Sequence, residues 1–274
     1  MGVLLEATRL RWILVRIRSL TNLAMPIKTA AIMAFLFLIG TAAANPIEFA
    51  SGPSQVALIE LYSSEGCSSC PPAERWLDDL RENPGLWKEF VPVEFHVTYW
   101  NGLGWKDSLS SPAFTDREYA YASAWGSKNV YTPCFVRNGA EWRPSSGPAQ
   151  RPKGESGYLT VSIGEDNVCR IKFLAGNDPE RVSAIYEAHL ALLGGGISSK
   201  VTAGENNGAT LMHEFVVLGM KDEALSSEGK DPALSALIQI PRSTRQGARR
   251  LAVAAWVTRY GELAPIQATG GWLR

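Results

Sequence analysis

Residues 56–80 read VALIELYSSEGCSSCPPAERWLDDL. The first seven, 56–62, are apolar except for Glu60 and predict a strand buried on both faces, as in a parallel sheet. Cys67-Ser68-Ser69-Cys70 follows directly. Beyond it Ala73, Trp76, Leu77 and Leu80 recur at i, i+3, i+4 and i+7, the apolar stripe of an amphipathic helix. Pro71 and Pro72 suit its first turn, where their missing N–H groups have no intrahelical partner, and Asn83-Pro84-Gly85 ends it.

A cysteine placed where a strand gives way to a helix meets unsatisfied backbone N–H groups and the positive end of the helix dipole, both of which favour a thiolate. Such thiolates have pKa values of roughly 3.5–7.5. Cys67 is then the attacking sulfur, and Cys70, one turn on, resolves a mixed disulfide by closing a Cys67–Cys70 bridge. Zinc ribbons also use C-x-x-C, but the chain has no second such pair. Two other readings stay open: a metal-binding or metal-delivery protein holding copper(I) or zinc on these cysteines, and a binding module whose C-x-x-C is a closed structural disulfide.

Outward from this unit, residues 90–99 alternate Val91, Val93, Phe95 and Val97 and predict a second strand. A loop rich in Gly and Trp (100–110) leads to Ser111-Pro112, an N-cap with proline at the first helical position, and a helix to about Trp125. Residues 130–136 predict a third strand, Arg137-Asn138-Gly139 a hairpin turn, and 140–142 the return strand. Strand, helix, strand, helix, strand, strand is an α/β pattern for residues 55–143. Residues 144–157 (PSSGPAQRPKGESG) read as a linker. Beyond it, 158–163 and 168–174 form a hairpin, and runs at 185–193, 210–218, 234–240 and 251–258 read as strands, the first of them equally as a helix. This gives residues 158–274 as a mainly antiparallel, sandwich-like β domain without an assigned role.

With 46% hydrophobic residues and 27 basic against 27 acidic groups, the chain has mass for a real core and no global attraction to nucleic acid. Residues 1–44 read as a signal peptide: Lys28, the apolar run 30–40 and the small-residue site Ala42-Ala43-Ala44. The run is short for a membrane span, which needs about 20 apolar residues. A start at Met25 would give a signal of ordinary proportions, making 1–24 an extension upstream of the true start. Removing 1–44 takes away five basic groups and one acid, leaving 22 against 26, a net charge of −4. The expected location is periplasmic or secreted, with no stable membrane span after cleavage. Four cysteines are few for a disulfide-stapled scaffold in such a compartment, so they are read as chemistry first.

G-C-S-S-C-P-P (66–72), F-H-V-x-Y-W-x-x-L-G-W-K-D (95–107), S-P-A-F (111–114) and V-Y-T-P (130–133), with G-E-N-N-G (204–208) and P-I-Q-A-T-G-G-W (265–272), resemble an exported, functionally uncharacterised family with a thioredoxin-like domain. The resemblance implies a thioredoxin-like α/β fold for 55–143. It also implies that Pro133 is a cis-proline facing the dithiol, with Thr132 presenting its backbone to a substrate, and that Glu60 is a buried acid serving as base for the second cysteine. Cys134 has three readings: a third thiol near the dithiol, a partner for Cys169, or a small buried hydrophobe. With His96 it would complete a Cys3His set, although His96, like His189 and His213, also reads as a core histidine. Tyr99, Trp100 and Trp105 suit either an apolar platform for a client or core packing, and the 204–208 turn and Gly270-Gly271-Trp272 read as structural. No metal ligand is assigned, and without a Gly-rich nucleotide loop no organic cofactor is implied. The expectation is an exported thiol–disulfide oxidoreductase acting on protein or small-molecule thiols and disulfides.

Overall fold

The computed structural model describes residues 46–144, 155–176, 184–242 and 247–273. In chain order its first elements are β1 (Ile47–Ala50), β2 (Ala57–Ser63), α1 (Pro71–Asp79), β3 (Phe90–His96), α2 (Pro112–Ala124), β4 (Cys134–Arg137) and β5 (Ala140–Trp142). There follow β6 (Gly157–Ile163), β7 (Val168–Ala175), β8 (Tyr186–Gly195), β9 (Ile197–Lys200), β10 (Thr210–His213), β11 (Val216–Ala224), β12 (Ser226–Ser227), β13 (Leu234–Gln239), β14 (Arg250–Arg259) and β15 (Pro265–Trp272). The expected signal peptide and most of the 144–157 linker lie outside the described residues. No helix among the described residues is long and apolar enough to cross a membrane.

The elements expected in 55–143 form, but they do not close into a domain. β2 pairs in parallel with β3, and the other edge of β3 takes β11 in parallel through Glu94 and Val216. One sheet therefore runs β15-β14-β8-β11-β3-β2-β4-β5 through both halves of the chain, and the described residues belong to a single compact unit. The expected thioredoxin-like α/β domain followed by a separate sandwich-like domain is corrected accordingly: strand makes up 46% and helix 12%, with two α-helices among the described residues. The physical reason is that the edge of β3 must be satisfied and the partner that satisfies it comes from far along the sequence. The segment 185–193, which reads as either helix or strand, is β8.

Side-chain alternation assigns the two faces of this sheet. Leu58, Tyr62, Val91, Phe95, Ala254 and Trp256 lie on one face with Phe114 and Tyr121 of α2. On the other, Ile59, Leu61, Phe90 and Phe215 pack against Leu77 of α1 and the following Leu80. Farther along that same face, Leu190, Val253 and Ala255 pack against Val161, Ile171 and Phe173, which belong to a five-stranded antiparallel sheet ordered β1-β6-β7-β13-β12. Burying each Val, Leu, Ile or Phe among them contributes roughly 1.5–3 kcal/mol.

The β4–β5 turn has Asn138 at φ 49° and Gly139 at φ 84°, the positive pair of a type I′ hairpin. A Cβ on Gly139 would sit 2.8 Å from the Cα of Ala264, so the turn also allows β5 to approach the 264 segment. Gly139→Ala is expected to cost at least about 1–2 kcal/mol from the left-handed backbone alone, measured as a lowered urea midpoint; an unchanged midpoint would mean that the turn adapts.

Candidate active site

β2 ends at Ser63, and a tight turn carries the chain to α1. The Cys67 N–H donates to Ser64 O at 3.0 Å and the Cys70 N–H to Cys67 O at 3.2 Å. Cys70 caps α1, with Pro71 and Pro72 in its first turn. Cys67 and Cys70 are both free thiols, 0% exposed, although Ser68 and Ser69 between them are exposed. Cys67 Sγ lies 3.2 Å from Ser69 Oγ and 3.8 Å from the Thr132 carbonyl. The peptide bond between Thr132 and Pro133 is cis.

The two thiols are electrostatically unlike. A hydrogen bond from the Cys70 thiol, with further ones from Ser69 and Thr132, outweighs burial and holds Cys67 down to about 6. Burial, then the hydrogen bond given to Cys67, pushes Cys70 strongly upward. The pair thus carries one proton, on Cys70, and one thiolate, on Cys67, near neutral pH.

The loop is clamped by a turn that read as merely structural. Asn206 Nδ2 donates to Glu65 O at 2.9 Å and to Cys67 O at 3.0 Å, and Glu205 accepts the Ser68 N–H at 3.0 Å. On the other side Trp100 Nε1 donates to Thr132 Oγ1 at 2.8 Å, and Trp105 Nε1 to Glu65 Oε2 at 2.7 Å. The Trp loop is therefore a wall of the dithiol site. Gly66 fits there because a Cβ would press to 3.1 Å from Trp100 Cβ.

Under α1 lies a buried polar cluster. Ser63 Oγ donates to Glu74 Oε1 at 2.5 Å, and the same hydroxyl lies beside the Cys70 thiol. Burial and then the Glu94 charge push Glu74 up to about 7. His96 Nδ1 is 2.7 Å from Asp107 Oδ2; burial opposes the imidazolium, but Asp107 and Glu94 raise His96 above its ordinary value. His213 Nε2 is 3.4 Å from Glu65 Oε1, and its Nδ1 is 3.8 Å from Glu74 Oε2. Glu94, His96 and His213 each offer one ligand atom, all within 4.8 Å of one another.

Other assignments change. Glu60 belongs to the opposite face of β2 from Ser63, where Arg117 Nε donates to it at 2.8 Å and the hydroxyls of Tyr62 and Tyr121 donate at 3.0 and 2.5 Å. As a correction, the base role expected for Glu60 has no geometry here, since the sheet lies between it and the face carrying α1. Cys134 pairs with Tyr62 across β4 and β2 and so faces α2, whereas His96 faces α1. The Cys3His set does not assemble. Cys134 and Cys169 are both free and sit in different cores, each pushed up to about 12 by burial, as inert buried thiols are. His189 is 2.6 Å from Asp222 and stacks on Trp256, away from the site. The signal for the missed cluster was in β3: Val91, Val93 and Phe95 fill one face, so Glu94 and His96 had to share the other, inside a strand buried on both sides.

A family described as a protein of unknown function (DUF1223) matches residues 58–258. Among solved structures, AGR_C_4864 from Agrobacterium tumefaciens is similar at 22% identity, with 80% of this chain and 95% of that one covered and a TM-score of 0.54. HBP35 of Porphyromonas gingivalis is similar at 15% identity, over 81% of this chain and 76% of that one, with a TM-score of 0.55. At such identities the likeness concerns the fold alone. No curated protein matches the sequence.

Proposed function

The chain belongs to the DUF1223 family of proteins of unknown function, and from this site we propose that it is an exported thiol–disulfide oxidoreductase using Cys67 and Cys70 on protein or small-molecule thiols and disulfides. The observation that carries the reading is the unequal pair: Cys67 at the start of α1 accepts the Cys70 thiol's hydrogen bond and is held down to about 6. A thiolate is the nucleophile in disulfide exchange.

In the reducing direction, Cys67 Sγ attacks one sulfur of a substrate disulfide. The substrate S–S bond breaks and its second sulfur leaves with the electron pair. Cys70 then attacks Cys67 Sγ, displaces the first substrate sulfur, and its proton goes to a departing thiolate. The substrate gains two electrons and the protein closes a Cys67–Cys70 bridge. Run backwards, the same steps oxidise a dithiol. Because both cysteines are buried, a substrate enters only when the chain over Cys67 yields; the exposed Ser68 and Ser69 and the Glu205–Ser68 hydrogen bond are the groups at that surface. A copper- or zinc-carrying role would rest on Cys67 and Cys70 alone, because Cys134 and His96 lie on different sides of the sheet.

The test is equilibration of purified protein in glutathione buffers, with Cys67→Ser as control. A reversible two-electron transition between about −270 and −120 mV, lost in the control, is expected. A bridge that stays closed well below about −300 mV would sink the proposal, as would failure to form a bridge in oxidising buffer.

A further inference from the structure

We propose that Glu94, His96 and His213 form a binding site for a divalent transition-metal ion of the zinc class, separate from the dithiol. Glu94 and His96 stand two apart on β3 and so point to the same face. His213, at the end of β10, is brought to them from the far half of the chain, and all three side chains are 0% exposed. One ligand atom from each lies within 4.8 Å of the other two.

The second observation is what these atoms lack. His96 Nε2, both nitrogens of His213 and both carboxylate oxygens of Glu94 are buried without a hydrogen-bond partner. Buried polar atoms are normally satisfied, and leaving them bare costs about 1–3 kcal/mol each. Three such side chains in one place, each able to present one ligand atom, form a donor set for a cation.

The spacing fits. His96 Nε2 is 3.3 Å from Glu94 Oε1, beyond the usual 2.7–3.2 Å of a good N–H···O bond. For metal–ligand distances of about 2.0–2.1 Å, the edge of a coordination tetrahedron is about 3.3–3.4 Å. His213 Nε2 and Glu65 Oε1, 3.4 Å apart, repeat that separation. Glu65 Oε1 is itself without a hydrogen-bond partner and stands beside His213, outside the three-residue set, so a water completes the coordination.

The outer shell is built as metal sites are. His96 Nδ1 is 2.7 Å from Asp107 Oδ2; a proton held between them leaves Nε2 as the atom that turns to a cation in place of its own proton. Asp107 is itself fixed by the backbone N–H groups of Glu65 and Leu109. A carboxylate holding the far nitrogen of a ligating imidazole sets its tautomer and orientation. Two imidazoles and a carboxylate, without sulfur, suit zinc and neighbouring divalent ions rather than copper(I).

The experiment uses Cys67→Ser/Cys70→Ser protein stripped by chelator and titrated with Co²⁺, then with Zn²⁺ as competitor. One equivalent of Co²⁺ per chain, with visible d–d bands, no thiolate charge-transfer band and one-for-one displacement by Zn²⁺, is expected. Glu94→Gln and His213→Gln should each weaken binding at least about 100-fold, and Asp107→Asn about 10–100-fold. No bound Co²⁺ or Zn²⁺ in the parent protein would overturn the proposal even if a ligand variant failed to fold. Undiminished binding in folded Glu94→Gln and His213→Gln would overturn it too. Since the test protein lacks the dithiol, its outcome is independent of the redox reading.

Discussion

Arg117→Ala is expected to lower the stability of the protein by about 3–5 kcal/mol, the cost of leaving one member of a buried ion pair alone. Glu60 is 0% exposed, and its charge is met by the Arg117 guanidinium at 2.8 Å and by two tyrosine hydroxyls. The guanidinium in turn lies 5.6, 5.3 and 5.4 Å from the ring centres of Phe95, Tyr121 and Trp256. Truncation therefore removes cation–π contact and packing along with charge. For a unit of this size, at about 2–4 °C per kcal/mol, the melting temperature should fall by roughly 6–20 °C. The partner experiment is Glu60→Leu with Arg117→Met, which removes both charges and should recover most of the loss, because a well-packed apolar pair often matches a buried ion pair. The same double variant decides the role of Glu60. Its dithiol potential should equal that of the unaltered protein; a changed potential would return Glu60 to the redox site, and an Arg117→Ala cost below about 1 kcal/mol would remove the pair as a determinant of stability.

The fate of Glu60 illustrates what local sequence holds and what it does not. Alternation in 56–62 makes Glu60 and Ser63 point oppositely whatever the fold, but nothing in those residues says which face α1 will cover. That is decided by Leu77 and Leu80 docking on Ile59 and Leu61. The strand and helix order of 55–143, the Asn138-Gly139 turn and the start of α2 at Pro112 were legible because each depends on neighbours within a few residues. The union of the two halves was not, since the pairing of Glu94 with Val216 spans a separation that no periodicity encodes. The same long-range step brings His213 against His96 and the 204–208 turn onto Cys67. Three side chains of the candidate site, Glu205, Asn206 and His213, therefore come from a region that, read alone, has no chemistry.

The strongest pH effect should appear in the reduction potential of the dithiol. Closing and opening the bridge exchanges two electrons; below the Cys67 pKa two protons accompany them, and above it only one, as Cys70 keeps its proton. Each proton contributes about 30 mV per pH unit for a two-electron couple, so the slope should change from about 59 to about 30 mV per unit near pH 6, where Cys67 titrates. The sign follows from a folded pKa below the ordinary thiol value of about 8.5. Stabilisation of the reduced form by the thiolate is fully present above that ordinary value and is lost as pH falls through about 6. Reaction rates at a single pH would be a poor substitute. At pH 7 the lowered pKa raises the thiolate fraction about thirtyfold, but with a Brønsted slope of about 0.4–0.5 it costs ten- to twentyfold in nucleophilicity. A titration does not suffer this cancellation. Cys70→Ala supplies the control, because it deletes the foremost hydrogen bond holding Cys67 down; the midpoint of its alkylation profile should move upward by more than one pH unit. A slope of about 59 mV per unit persisting to pH 8, or an unmoved midpoint in Cys70→Ala, would mean that Cys67 is an ordinary buried thiol and that the helix start carries no activated nucleophile.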